Sequence, residues 1–258
     1  MSKNRFEAFA HQLILSVGWR RRAWALAAGA VGALAMPPLG AFPLAALSLT
    51  AAVWLIDGSI GQPGASRLRS RVSAAVEAAQ TGWWFGFGFF LIGLWWLGSA
   101  FLVEADQFAW ALPLGVVGLP AVLALYTALG FFLARLIWST GALRVFALAA
   151  GLALSEWLRS VLFTGFPWNE WGMALGGRLY LAQAASVVGL HGLTIICVAI
   201  AAAPATLADA LGGWRKAPTA LAVLALAGLT FFGVARVETG EVAMTPNVRL
   251  RLMQPNLP

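Results

Sequence analysis

Seven apolar runs, each approaching the length needed to cross ~30 Å of hydrocarbon, constrain this chain more than any other feature. They cover approximately Ala23–Ala35, Ala41–Ile56, Thr81–Val103, Phe108–Trp138, Leu143–Phe163, Leu179–Ala205 and Pro218–Ala235. Bilayer interiors offer no water to a free backbone N–H or C=O, so such runs are predicted to be helices. The expected fold is therefore an all-α membrane protein, a polytopic bundle of about seven transmembrane helices. Composition agrees: with 60% hydrophobic and 10% charged residues among 258, there is too little polar surface for a water-soluble globule of this size. The first two runs are short and flank Met36-Pro37-Pro38-Leu39-Gly40. Those prolines forbid a continuous helix, so a helical hairpin is predicted. Ala33-Leu34-Ala35 after Arg20-Arg21-Arg22 has the form of a signal-peptide cleavage site, but the long approach and the immediate second run argue against cleavage.

Charge is read as topology. Of the 17 Lys and Arg residues, Lys3, Arg5, Arg20, Arg21, Arg22, Arg67, Arg69, Arg71, Arg135, Arg144, Arg215 and Lys216 fall on one side of the alternating runs. Arg159, Arg178, Arg236, Arg249 and Arg251 fall on the other. The positive-inside rule then puts the N-terminus in the cytoplasm and, after seven crossings, the C-terminus outside. The basic residues stand singly or in short clusters with no polar domain to carry a basic face, so no nucleic-acid partner is expected. Gly61–Ser66 reads as a flexible cytoplasmic connection.

The fifth run ends in Ser155-Glu156-Trp157-Leu158-Arg159-Ser160, followed by Phe163-Thr164-Gly165-Phe166-Pro167-Trp168-Asn169. Ionisable residues in a membrane helix are costly, and they are functional candidates for that reason. Glu156 and Arg159 stand at i and i+3, on one helical face, where they can pair. Gly82 and Gly86 form a GxxxG face that admits a close helix neighbour. Trp83, Trp84, Trp95 and Trp96 near the ends of the third run suit interfacial belts. His191, between Gly189 and Gly192, is expected to hydrogen-bond between helices. The single cysteine, Cys197, excludes an internal disulfide, and in its apolar run it reads as inert packing. No metal-site spacing, phosphate-cradling loop, GxSxG elbow or fixed-period repeat is present, and no cofactor is expected.

The tail alternates polar and apolar residues over Asn247–Met253, the period of a half-buried strand, before Gln254-Pro255-Asn256-Leu257-Pro258. It is expected to be the first strand of a second domain outside the membrane, with a frayed polar tail as the alternative.

Taken in order, Ala35-Met36-Pro37-Pro38, the glycine-aromatic stretch Gly82–Phe90 with Leu94-Trp95-Trp96, Glu156 and Arg159 with Thr164-Gly165-Phe166-Pro167-Trp168, and Val248–Pro258 resemble bacterial apolipoprotein N-acyltransferases. The resemblance covers nearly the whole chain, and its most specific part is Thr164–Trp168. It implies a multi-pass enzyme of the bacterial inner membrane with a periplasmic nitrilase-like domain. Such an enzyme moves an acyl chain from a membrane phospholipid onto a cysteine, and then to the N-terminal diacylglyceryl-cysteine of a lipoprotein. The family's Glu-Lys-Cys triad lies in the nitrilase-like domain, so no residue here is expected to be catalytic, Glu156, Glu170 and Cys197 included.

The implied organisation is a cytoplasmic segment (1–22), a transmembrane domain (23–235) and a periplasmic linker entering the nitrilase-like domain (236–258). The membrane part would form a lipid-entry route. Phe166, Pro167 and Trp168 are candidates for its gate, Arg159 with Glu156 for a headgroup or loop anchor, and Trp95 and Trp96 for the wall an acyl chain meets. A non-catalytic lipid-binding or transport protein, or a scaffold, is the alternative. Oligomeric state is not legible.

Overall fold

A computed structural model describes residues 5–209, 213–239 and 248–254. Among them the secondary structure is entirely helical. An amphipathic α1 (Arg5–Ile14) precedes seven long helices: α2 (Gly18–Ala33), α3 (Phe42–Asp57), α4 (Arg67–Gly93), α5 (Leu119–Leu136), α6 (Arg144–Val161), α7 (Ala185–Ala202) and α8 (Ala217–Thr239). Each long helix falls on one of the seven predicted runs. Three helical stretches, Ala105–Leu136, Ala185–Ala208 and Trp214–Glu238, are long and apolar enough to cross a membrane. A fourth qualifies if α4 and the 3-10 helix Trp95–Leu102, bent from it by 50°, count as one span.

Helix α4 begins 14 residues before the predicted third run and breaks at Leu94, with a backbone unlike that of the helix. That shift moves Trp83 and Trp84 to mid-helix, about 24 Å from its start at 1.5 Å per residue. Trp83 donates to the Ala121 carbonyl and stacks on Phe87 at 5.2 Å, so it packs α5 and does not belong to a terminal belt. The GxxxG face does meet α5. A Cβ on Gly82 would lie 2.7 Å from Phe131 Cβ, and one on Gly86 would lie 2.6 Å from Thr127 Cβ. The opposite face of α4 crosses α2 backbone to backbone, Gly88 against the Leu26 carbonyl and Gly29 against that of Phe85. Helices α2 and α3 form the expected hairpin. Helix α8 lies at the periphery, against α7 and the turn Leu179–Ala182.

Buried charge stitches one end together. Arg21, 5% exposed, donates to the Leu55 and Gly58 carbonyls, Ser59 and Thr81, and pairs with Glu77 at 3.0 Å. It lies within α2, which starts at Gly18, so part of the predicted cytoplasmic segment 1–22 is helix. Read from sequence as a topology charge, it also caps the last carbonyls of α3, where a cation meets the negative end of the helix dipole. Arg144 bridges Asp57 at 3.3 Å and Asp209 at 2.6 Å, and Arg215 pairs with Glu7 at 3.0 Å. The 60–66 connection is tied down as well: Ile60 N–H donates to Glu77 and Gln62 N–H to Ser73. Loops predicted to share one side therefore share one end of the bundle.

The expected strand is not formed in residues 248–254, because an isolated strand has no edge to pair with. The rest of that tail lies outside the described residues.

Candidate functional site

At the opposite end, the loop between α6 and α7 folds back over the helix ends. Three consecutive residues reverse the chain in the left-handed region: Phe163, Thr164 and Gly165, at φ 50°, 73° and 82°. A side chain at Gly165 would also meet the Ser160 carbonyl, so glycine is required there on two counts. Gly165 N–H then donates to Leu162 and Phe166 N–H to the Arg159 carbonyl, each at 2.9 Å.

Two buried charged side chains of α6 hold the loop. Arg159, 1% exposed, donates to the Phe166 carbonyl and, at 2.6 Å, to that of Trp168. Its guanidinium sits 5.2 Å from the Phe90 ring centroid, a cation–π contact. Glu156 accepts from Trp171 N–H at 3.1 Å and from Thr194 Oγ1 at 3.0 Å, and Thr194 in turn accepts from Gly172 N–H. The predicted Glu156–Arg159 ion pair is therefore not formed. Both residues share a face, but each turns to backbone groups of the loop that burial would otherwise leave unsatisfied. Arg159 consequently presents no exposed cation for a lipid phosphate. Its Nη2, without a protein partner, borders a cavity of about 10 Å³ lined by Tyr126, Thr127 and Ser155, room for about one water.

What the loop exposes is aromatic. Trp168, half exposed, lies 5.1 Å from Trp96 and 6.3 Å from Phe166. Trp96 reaches it because the break at Leu94 turns the 3-10 helix across the end of the bundle. Trp95 is 69% exposed and joins none of these ring contacts. Pro167 separates Phe166 from Trp168 between the two carbonyls that Arg159 holds. The site thus brings together Glu156, Arg159, Phe166, Pro167, Trp168 and Trp96, and leaves Trp95 at its margin.

Sequence reasoning missed Trp171 and Thr194. Trp171 is buried, stacks on Phe89 at 4.8 Å and closes the loop onto α4. Its three-residue spacing from Trp168 was the available signal; Thr194, in an apolar run, offered none. It also missed the partner of His191. That imidazole meets the Glu170 carboxylate of the loop, Nδ1 to Oε2 at 3.1 Å. Burial pushes the Glu170 carboxyl above its ordinary range, while His191 and Arg159 pull it back. Cys197 is fully buried, as its apolar surroundings predicted.

The apolipoprotein N-acyltransferase N-terminal domain description matches residues 28–203. The chain belongs to this family. An apolipoprotein N-acyltransferase of Rhodopseudomonas palustris is 52% identical over 248 residues, covering 95% of this chain and 45% of that protein. Those of Bradyrhizobium diazoefficiens and Brucella suis are 48% and 44% identical, over 98% and 96% of this chain and 46% of each relative. The chain thus spans somewhat under half the length of the curated apolipoprotein N-acyltransferases it matches. Residues 28–203 include the C-terminal part of α2 and the whole of α3 through α7, with the loop between α6 and α7.

Proposed function

We propose that this chain is the membrane portion of an apolipoprotein N-acyltransferase, an enzyme that takes an acyl chain from a phospholipid and delivers it to the diacylglyceryl-cysteine of an apolipoprotein. The Trp96–Trp168 pair carries the reading. Two large rings meet at the surface of one bundle end on a loop held by buried charges, so an apolar chain would meet a preorganised wall. Phe166 and Pro167 complete the gate, Arg159 and Glu156 fix it in place, and Trp95 extends the wall outward. No residue of this chain is assigned to the transfer step. A cysteine nucleophile needs an adjacent base and access to substrate, and Cys197 is buried inside the bundle.

The test is a chimera joining this chain to the C-terminal half of the Rhodopseudomonas palustris relative, in cells depleted of their own N-acyltransferase. The chimera is expected to restore lipoprotein acylation, and this chain alone is not. Trp168→Ala in the chimera is expected to slow acylation on the order of 10²-fold at normal abundance, the scale for losing a positioning contact. Acyl transfer by the chain alone would refute the division of labour. A folded but inactive chimera would favour the non-catalytic lipid-binding reading, and wild-type rates in Trp168→Ala would remove the gate.

The same reading places seven crossings in the bacterial inner membrane, with the N-terminus cytoplasmic. It is supported by the gathering of Arg21, Arg135, Arg144 and Arg215 at the end opposite the gate. Reporter fusions after Gly213 should behave as cytoplasmic and those after Met244 as periplasmic; the reverse would put the gate on the wrong side.

A further inference from the structure

Glu170 is 0% exposed, yet neither carboxylate oxygen accepts a well-aligned hydrogen bond from a described residue. The nearest positive or polar group is His191 Nδ1, at 3.1 Å. A buried carboxylate with so little satisfaction is an expensive way to close a loop. It does, however, hold one edge of the imidazole. His191 is itself 41% exposed. On α7, past the break at Gly189, it stands one turn before Ile195, which is 44% exposed; Val187 and Val188, before the break, are 73% and 42% exposed. That helical face points out of the bundle, and in a membrane it meets lipid. Gly189, at φ 67°, breaks the helix two residues earlier, and nothing lies within 4 Å of where its Cβ would be. His191 lies near the start of α7, at the bundle end that carries the loop and within reach of the headgroup boundary.

We propose that His191, held by Glu170, is a lateral binding site for the phosphodiester of a glycerophospholipid, with the acyl chains along the His191–Ile195 face. With Nδ1 buried against Glu170, Nε2 is the ring nitrogen left to face a ligand, and its N–H can donate. A lone donor on an apolar surface selects an anionic acceptor, because a charge-assisted hydrogen bond is about twice as strong as a neutral one. The inference rests on the membrane reading above and adds a polar contact to the aromatic gate, which has no exposed cation of its own.

The experiment is native mass spectrometry of the purified 258-residue chain. It is offered phosphatidylglycerol, diacylglycerol with the same acyl chains, or phosphatidylglycerol with excess inorganic phosphate. The wild type is expected to retain phosphatidylglycerol over diacylglycerol and to keep it against inorganic phosphate. His191→Phe should reduce that retention at least about tenfold, the scale for one charge-assisted hydrogen bond, and His191→Lys should preserve most of it. If His191→Phe does not fold, His191→Gln, neutral and polar, takes its place with the same expected loss. Undiminished retention by a folded neutral variant overturns the site. Displacement by inorganic phosphate overturns the lipid assignment. Either result leaves complementation by the chimera untouched, whereas a failed chimera with His191-dependent retention leaves a lipid site on a protein of another function.

Discussion

Arg159→Ala is expected to lower the midpoint of thermal unfolding by roughly 10 °C and to open the 162–172 loop to protease. The truncation leaves the Phe166 and Trp168 carbonyls without their donor and removes a guanidinium that acts on both Glu156 and Glu170. Removing one member of a buried charged cluster costs about 3–5 kcal/mol, and for a chain of this size each kcal/mol is worth about 2–4 °C. Arg159→Lys should recover only part of the loss, because a single ammonium cannot reproduce a planar fork reaching two carbonyls. Glu156→Gln should be milder, since its amide oxygen still accepts from Trp171 N–H. Thermal melts in detergent with limited proteolysis decide the matter. A wild-type midpoint and cleavage pattern in Arg159→Ala would mean that the loop is held by its apolar contacts, Trp171 on Phe89 foremost.

Gly88→Val is expected to abolish accumulation of folded protein, with a destabilisation of at least about 3 kcal/mol, the top of the usual overpacking range. The new Cβ would run into the Leu26 carbonyl and lie 3.2 Å from Ala30 N. Backbone cannot swing aside as a side chain can, so α2 and α4 must separate along a crossing that also depends on Gly29. Gly86→Val should cost less because its two shortest contacts are to the Thr127 side chain, whose hydroxyl can rotate away, and its backbone contact, Ala124 Cα, is longer at 3.1 Å. Gly228→Ala supplies the control. Nothing lies within 4 Å of its Cβ position on peripheral α8, and alanine is the better helix former, so it should be neutral or slightly stabilising. The monodisperse fraction after size-exclusion chromatography ranks the three. Normal yields of Gly88→Val would contradict the close α2–α4 crossing.

Local chemistry determined much of this protein before any tertiary contact was known. The apolar runs located all seven long helices, because a segment without polar relief has few alternatives in hydrocarbon. Pro37-Pro38 predicted the α2–α3 hairpin, and Gly82-x-x-x-Gly86 predicted a close helix neighbour. The order of motifs from Met36 to Trp168 pointed to the family. Tertiary structure alone decided what the charged residues do. Spacing put Glu156 and Arg159 on one face and so allowed a pair. Which partner each takes depends on where the loop carbonyls and N–H groups return in space, and burial makes those backbone groups the more demanding claimants. Arg21 reads as a topology signal in the sequence, and only the fold shows that it also ties the end of α3 to α4. The start of α4 at Arg67 was hidden because a polar, membrane-exiting helix lacks the apolar signal that marked its other half. Glu170 and His191, 21 positions apart with no shared motif, could be joined only by the path of the loop across the end of α7.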